Sequence, residues 1–194
     1  SDNLTVTNNN LDVYNYGMSM HDGSYLSIGY NTVTNFDEHG IYFHGSENSI
    51  IEFNSVISAD YNDGWKYGIY NDASGQNATV NNNFVYINSS TGNNLEYHFG
   101  IVAHDSEVSN DTVYVLYNQP YEGGGRSHHY LWGITGDRSV ITNNYVYVSD
   151  WDGSYGSYNI RCSGSSDSRC TITDNIINPI NATHGIWASY ADIL

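Results

Sequence analysis

Histidine and aspartate recur at equivalent places along this chain. His21, His44, Asp72, His104 and Asp137 each stand four residues past the glycine of a short anchor pair: Gly17-Met18, Gly40-Ile41, Gly68-Ile69, Gly100-Ile101 and Gly133-Ile134. If the anchors stack at the spacing of neighbouring strands, about 4.8 Å, these side chains form a surface ladder able to hold a transition metal or to exchange protons. The plainer explanation is that polar residues suit the end of a strand, since a metal needs convergent ligands and not just near ones.

Cys162 and Cys170 flank a polar loop, Ser-Gly-Ser-Ser-Asp-Ser-Arg. That separation suits an intrachain disulfide in an oxidising compartment, with an intermolecular bond between subunits as the alternative. Two cysteines alone lack the partners a zinc site needs. The glycine-rich stretch from Glu122 through Arg126 and His128 to His129 does not follow a strand and open a helix, so it is not a phosphate loop. It reads as an excursion from the edge of the fold or a contact between subunits. Asp60 and Asp63 near Asp72 offer carboxylates for glycoside hydrolysis, but spacing in sequence does not supply the separation that chemistry requires. They read more simply as solvated loop acids.

The elements that must position these groups are set by an internal repeat. Counting Asn159-Ile160 and Gly185-Ile186 with the five glycine anchors above, successive spacings are 23, 28, 32, 33, 26 and 26 residues. This is too irregular for helical or leucine-rich arrays and suits a β-solenoid whose turns accept insertions of different length. Each anchor but the last is followed by two short apolar strands around a polar corner, as in Tyr25 to Val33 and Ser139 to Val148. Asn10, Asn31, Asn54, Asn83, Asn110, Asn144 and Asn175 mark that corner. Asn both tolerates the left-handed backbone and can bond a stacked neighbour, so a buried Asn ladder is expected.

Alternation along each anchor strand directs Met18 and Met20, Ile41 and Phe43, Ile69 and Asn71, Ile101 and Ala103, Ile160 and Cys162, and Ile186 and Ala188 inward. It sends Tyr42, Tyr70, Val102, Thr135, Arg161 and Trp187 outward. Tyr42, Tyr70 and Trp187 then form an aromatic row fit for a sugar or a protein interface. With 194 residues, only 2 Pro and no apolar stripe at helical period, the chain is expected to be a single all-β domain spanning 1–194: a parallel β-helix of about seven rungs with almost no helix.

The glycine-apolar anchors and the run Ile141-Thr-Asn-Asn-Tyr-Val146 resemble the right-handed parallel β-helix superfamily. That superfamily includes pectate lyases, polygalacturonases, phage tailspikes, NosD-like proteins and archaeal surface proteins, and the resemblance covers residues 3 to 194. It implies the fold and its handedness, because the matching residues are those that build rungs. The catalytic patterns of its enzymes do not transfer. Lys66, Arg126, Arg138, Arg161 and Arg169 form no lyase-type basic cluster beside calcium-binding acids. The Asn-Thr-Asp and Asp-Asp motifs of the hydrolases are absent, and His39-Gly40 and His184-Gly185 read as anchors. No catalytic residue and no cofactor is expected.

A net charge of −16 makes nucleic acid and anionic membrane surfaces poor partners, and no stretch is apolar and long enough to insert into a bilayer. Ser1 at the start suggests that a secretion signal was removed. Sequons at Asn3, Asn77, Asn88, Asn110 and Asn181 fit a glycosylated protein of the cell exterior. Neither end looks capped: Leu4 and Val6 at one and Ile193 and Leu194 at the other suggest a fragment of a longer solenoid or head-to-tail stacking of copies. The expected function is therefore non-enzymatic, a homopolymer forming a sheath, surface layer or filament and most resembling archaeal surface proteins. A secreted carbohydrate-binding or polysaccharide-degrading β-helix is the alternative, and glycans are its implied partners.

Overall fold

A computed structural model describes residues 3–21, 25–44, 48–59, 64–72, 77–89, 96–117, 129–150 and 156–194. Asp60, Asp63, Trp151 and the stretch from Glu122 to His128 lie outside the described residues. The strands form three parallel sheets of eight, seven and seven strands, and each sheet takes every third strand of the chain. Seven rungs are complete, and Ala191–Ile193 adds an eighth strand to the first sheet. The described residues contain no helix. This is the parallel β-helix that the repeat predicts.

A two-residue corner joins the first and second sheets in every rung, as between Asn3–Thr7 and Asn10–Asp12, or Cys170–Thr173 and Ile176–Ile180. Its first residue is left-handed: Asn8, Tyr30, Phe53, Asn82, Asn110, Asn143 and Asp174 have φ between 53° and 59°. Its second residue builds the ladder. The backbone N–H and Nδ2 of Asn31 both donate to Oδ1 of Asn54 at 3.0 Å, while Nδ2 also donates to the Val6 carbonyl at 2.9 Å. Asn54 repeats this toward Asn83 and Ile28, and Asn144 toward Asn175 and Val108.

The expected ladder is thus real, but two of its members differ. Asn9 and Asp111 occupy it, not Asn10 and Asn110. The structure divides between two adjacent residues the tasks that the sequence reading gave to one. A left-handed residue turns the chain, and its successor directs its side chain into the corner.

The glycines of the first five anchors are dictated by space. A Cβ on Gly40, Gly68, Gly100 or Gly133 would run into a second-sheet valine and the carbonyl of the next anchor. At the sixth anchor Asn159 is accommodated, fully buried, with its Nδ2 donating to the Val146 carbonyl at 2.9 Å. The expected inward residues are buried from Met18 through Cys162, whereas Ile186 and Ala188 in the last rung are only partly so. Tyr42, Tyr70, Arg161 and Trp187 are partly exposed as expected. Val102 and Thr135 are not: at 6% and 7% exposure they are covered, although they alternate outward.

Cys162 and Cys170 form an intrachain disulfide, Cα to Cα 6.3 Å, that ties the third sheet to the first. This decides against the intermolecular alternative and fits an oxidising environment. At the terminal rungs Leu4, Ile193 and Leu194 are exposed and Val6 is partly buried.

Candidate functional site

The third sheet stacks Tyr16–His21, His39–His44, Trp65–Asn71, Glu96–His104, His129–Asp137, Tyr158–Ser163 and His184–Ser189 in that order. Its register places the expected column together: His21 lies beside His44, and His104 beside Asp137. The column breaks into pairs, however. His44 Nδ1 is 3.0 Å from Asp72 Oδ2, which also accepts from the Tyr42 hydroxyl at 3.4 Å. His104 Nδ1 is 3.9 Å from Asp137 Oδ2, and that oxygen accepts from Arg138 at 3.1 Å. Arg138 also clasps Asp105 through Nε and Nη2, at 2.7 and 2.5 Å, and this bond holds the Asp105 carboxyl below its ordinary value. Burial lowers the His104 imidazole and so favours its neutral form. Among the described residues no three His, Cys, Asp or Glu side chains converge as a metal site.

A different column emerges on the same sheet. The residue immediately before each anchor is aromatic or imidazole: Tyr16, His39, Tyr67, Phe99, Trp132, Tyr158 and His184. These rings stack along the axis. Centroid separations are 5.4, 4.9 and 4.6 Å from Tyr16 through His39 and Tyr67 to Phe99, with planes within 10°. Phe99 meets Trp132 edge-on at 4.7 Å, Trp132 meets Tyr158 at 5.9 Å, and Tyr158 stacks on His184 at 5.0 Å. Alternation is interrupted at the anchor, where Gly68 and Ile69 are both buried, so Tyr67 and Tyr70 share the outer face and stack at 4.7 Å, with His39 5.6 Å from Tyr70. Trp65 and Tyr97 extend it sideways, 4.6 Å apart.

The aromatic row named from the sequence is therefore part of a broader surface. Tyr42 and Tyr70 are neighbours at 5.4 Å, but Val102, Thr135 and Arg161 intervene in the register before Trp187. Since Phe99, Val102 and Thr135 are each less than a tenth exposed, the face has two open stretches. One spans the first three rungs, the other the last two or three.

The first stretch contains a cleft of about 410 Å³ lined by Asn15, Asp37, Glu38, His39, Trp65 and Tyr67. Two aromatic walls and an imidazole face two carboxylates and an amide. Asp37 Oδ1 lies 3.8 Å from Nζ of Lys66, a wholly buried cation that points into the solenoid. The neighbouring Glu38 carboxylate raises the pKa of the Tyr16 phenol and sits 3.9 Å from His39 Nδ1. Burial pushes the Tyr67 phenol up to about 12 and the His39 imidazole down, so both rings are uncharged at neutral pH.

Of the sequons, Asn3, Asn77, Asn110 and Asn181 are exposed and Asn88 is partly so. The ring column escaped the sequence reading, although its signal was present as an aromatic or His one place before every anchor.

No family model and no curated protein matches this chain. Among solved structures it is similar to a mutant DFA-IIIase from Arthrobacter chlorophenolicus in complex with DFA-III. The TM-score is 0.39 and the identity 13%, over 97% of this chain and 50% of that one, so the chain spans about half the length of that protein.

Proposed function

We propose that this chain is an extracellular carbohydrate-binding β-helix whose saccharide lies on the aromatic face of the third sheet. The observation that carries this reading is the unbroken ring column from Tyr16 to His184 with an aromatic and carboxylate cleft at its first three rungs. Ring faces take up the apolar sides of sugars, and Asn15, Asp37 and Glu38 supply a few polar groups that orient hydroxyls. Binding is favoured over turnover because each carboxylate lies against a basic side chain, Asp37 3.8 Å from Lys66 and Glu38 3.9 Å from His39. The disulfide and exposed sequons support a location outside the cell.

Affinity electrophoresis through gels carrying a panel of polysaccharides tests this. Retardation on at least one polymer, reduced by Trp65→Ala and Tyr67→Ala in folded protein, is expected. Unaltered mobility on every polymer would refute it, and release of reducing sugar would extend it to catalysis.

Self-assembly into a sheath or filament is the second reading, favoured by exposed Leu4, Ile193 and Leu194 on the terminal rungs. Sedimentation over a wide concentration range tests it, and a monomer throughout sinks it.

A further inference from the structure

The chain carries 21 acidic residues against 5 Lys and Arg, so each cation has many carboxylates to choose from. Among the described residues Lys66 lies against Asp37, Arg138 against Asp105 and Asp137, and Arg169 against Asp192. Arg161 makes no ion pair or hydrogen bond with any described residue. Its guanidinium instead lies over two indoles, 4.6 Å from the Trp132 centroid and 5.0 Å from that of Trp187.

That placement is ordered. Trp132 is fixed by its indole N–H donating to the Gly156 carbonyl at 2.8 Å, so one wall of the clamp is held in place. Cation–π contact with both rings takes up none of the guanidinium N–H donors, which remain for a planar or tetrahedral oxyanion. A second polar group in the same register lacks a partner as well. Thr135, paired with Arg161 across the strands, is 7% exposed, and its buried Oγ1 has no hydrogen bond.

We propose that Arg161 is the specificity residue for a negatively charged group, carboxylate or sulfate, carried by the bound saccharide. This rests on the carbohydrate reading and deepens it. The net charge of −16 repels a polyanion, so the acidic group is an isolated one among neutral sugars. Arg161 aligns with Tyr70 three strands along the sheet and so lies about 17 Å from Tyr67 at the usual strand spacing and rise, a span that an extended oligosaccharide seated in the cleft covers by passing over Phe99, Val102 and Thr135.

The test is calorimetry of the full chain with three matched oligosaccharides: neutral, bearing one uronate, and bearing one sulfate ester. The expected result is about ten-fold or tighter binding of at least one charged member at low salt, with the gain shrinking as salt rises. The uronate and sulfate arms tell which oxyanion is read. Arg161→Gln should lower the charged ligand to the neutral level and leave neutral binding unchanged, Arg161→Lys should restore part of the gain, and Tyr67→Ala should weaken all three.

Equal affinity of the wild type for all three overturns this assignment and leaves the carbohydrate reading standing. A charge preference that survives Arg161→Gln also overturns it. Failure of the wild type to bind any of them overturns both. Should Arg161→Gln fail to fold, the salt series on the wild type decides, since a preference indifferent to salt is not made by an exposed guanidinium.

Discussion

Asn83 donates its backbone N–H and its side-chain Nδ2 to the same oxygen of Asp111, Oδ1, at 2.7 and 3.0 Å. The other oxygen, Oδ2, has no hydrogen-bond partner and stands where neighbouring ladder residues carry an amide NH2. Asp111 is 1% exposed, and its own N–H donates to Asn144 Oδ1 at 2.9 Å. An ionised carboxylate there sets acceptor against acceptor, whereas the protonated acid restores one of the amide's two donors. Burial pushes the carboxyl well above the usual range, and the bonds from Asn83 offset this only in part.

Folded Asp111 thus holds its proton more tightly than the unfolded chain does. Its contribution to stability is complete below about pH 4 and is lost as pH rises toward the folded value. Urea unfolding of wild type and Asp111→Asn over a pH series should show the variant gaining with pH, by about 1–3 kcal/mol at the alkaline end. A difference that does not change with pH refutes the protonated rung.

The division of labour at the corner makes a sharper claim than a generic Asn repeat. Asn54→Ala removes the acceptor for two Asn31 donors and the donor to Ile28 and Asn83, so it should cost about 3 kcal/mol in denaturant unfolding. Asn10→Ala, at the residue first assigned to the ladder, should cost about 0.5 kcal/mol or less. Similar losses would undo the assignment.

Close approach at the anchors predicts a contrast between glycines. Gly100→Ala drives its methyl into Val113 and the Gly133 carbonyl and should lower stability by about 1–3 kcal/mol. At Gly29 the nearest atom to a new Cβ, the Glu52 carbonyl, is 3.4 Å away, so Gly29→Ala should pass nearly unnoticed in the same thermal melt.

Loss of the disulfide should cost stability without changing mass. Cys162 and Cys170 are 8 residues apart, and closing such a loop is worth about 2.5 kcal/mol on the chain-entropy account. The double alanine variant should melt earlier. Wild type should run as the same species on gels with and without reductant, and a disulfide-linked dimer would contradict the intrachain bond.

The rungs were legible in the sequence because backbone geometry repeats. Gly40, Gly68 and Gly100 mark close approaches, and Ile41, Ile69 and Ile101 mark the core, whatever the loops between them do. The site was less legible. His21, His44, Asp72, His104 and Asp137 fall in the predicted column, yet side-chain rotamers pair His44 with Asp72 and His104 with Asp137 instead of bringing three together. Val102 and Thr135 alternate outward by the period but lie covered, which strand periodicity cannot express. The sequence assigns Lys66 no place, and only the stacked rungs put it inside, beside His98 in register.

The ladder residues are separated along the chain by 22, 23, 29, 28, 33 and 31 residues, yet the corner that carries them is always two residues long. The longer connections all adjoin strands of the third sheet, as between Asn71 and Thr79, Ser89 and Glu96, and Tyr117 and His129. One edge of the prism therefore acts as a ruler, keeping count and alignment, while chain length is free to vary beside the ring column. Insertions and deletions there can change the length of the chain without shifting a single rung, so a lineage built on this plan can alter its outer face and retain its scaffold.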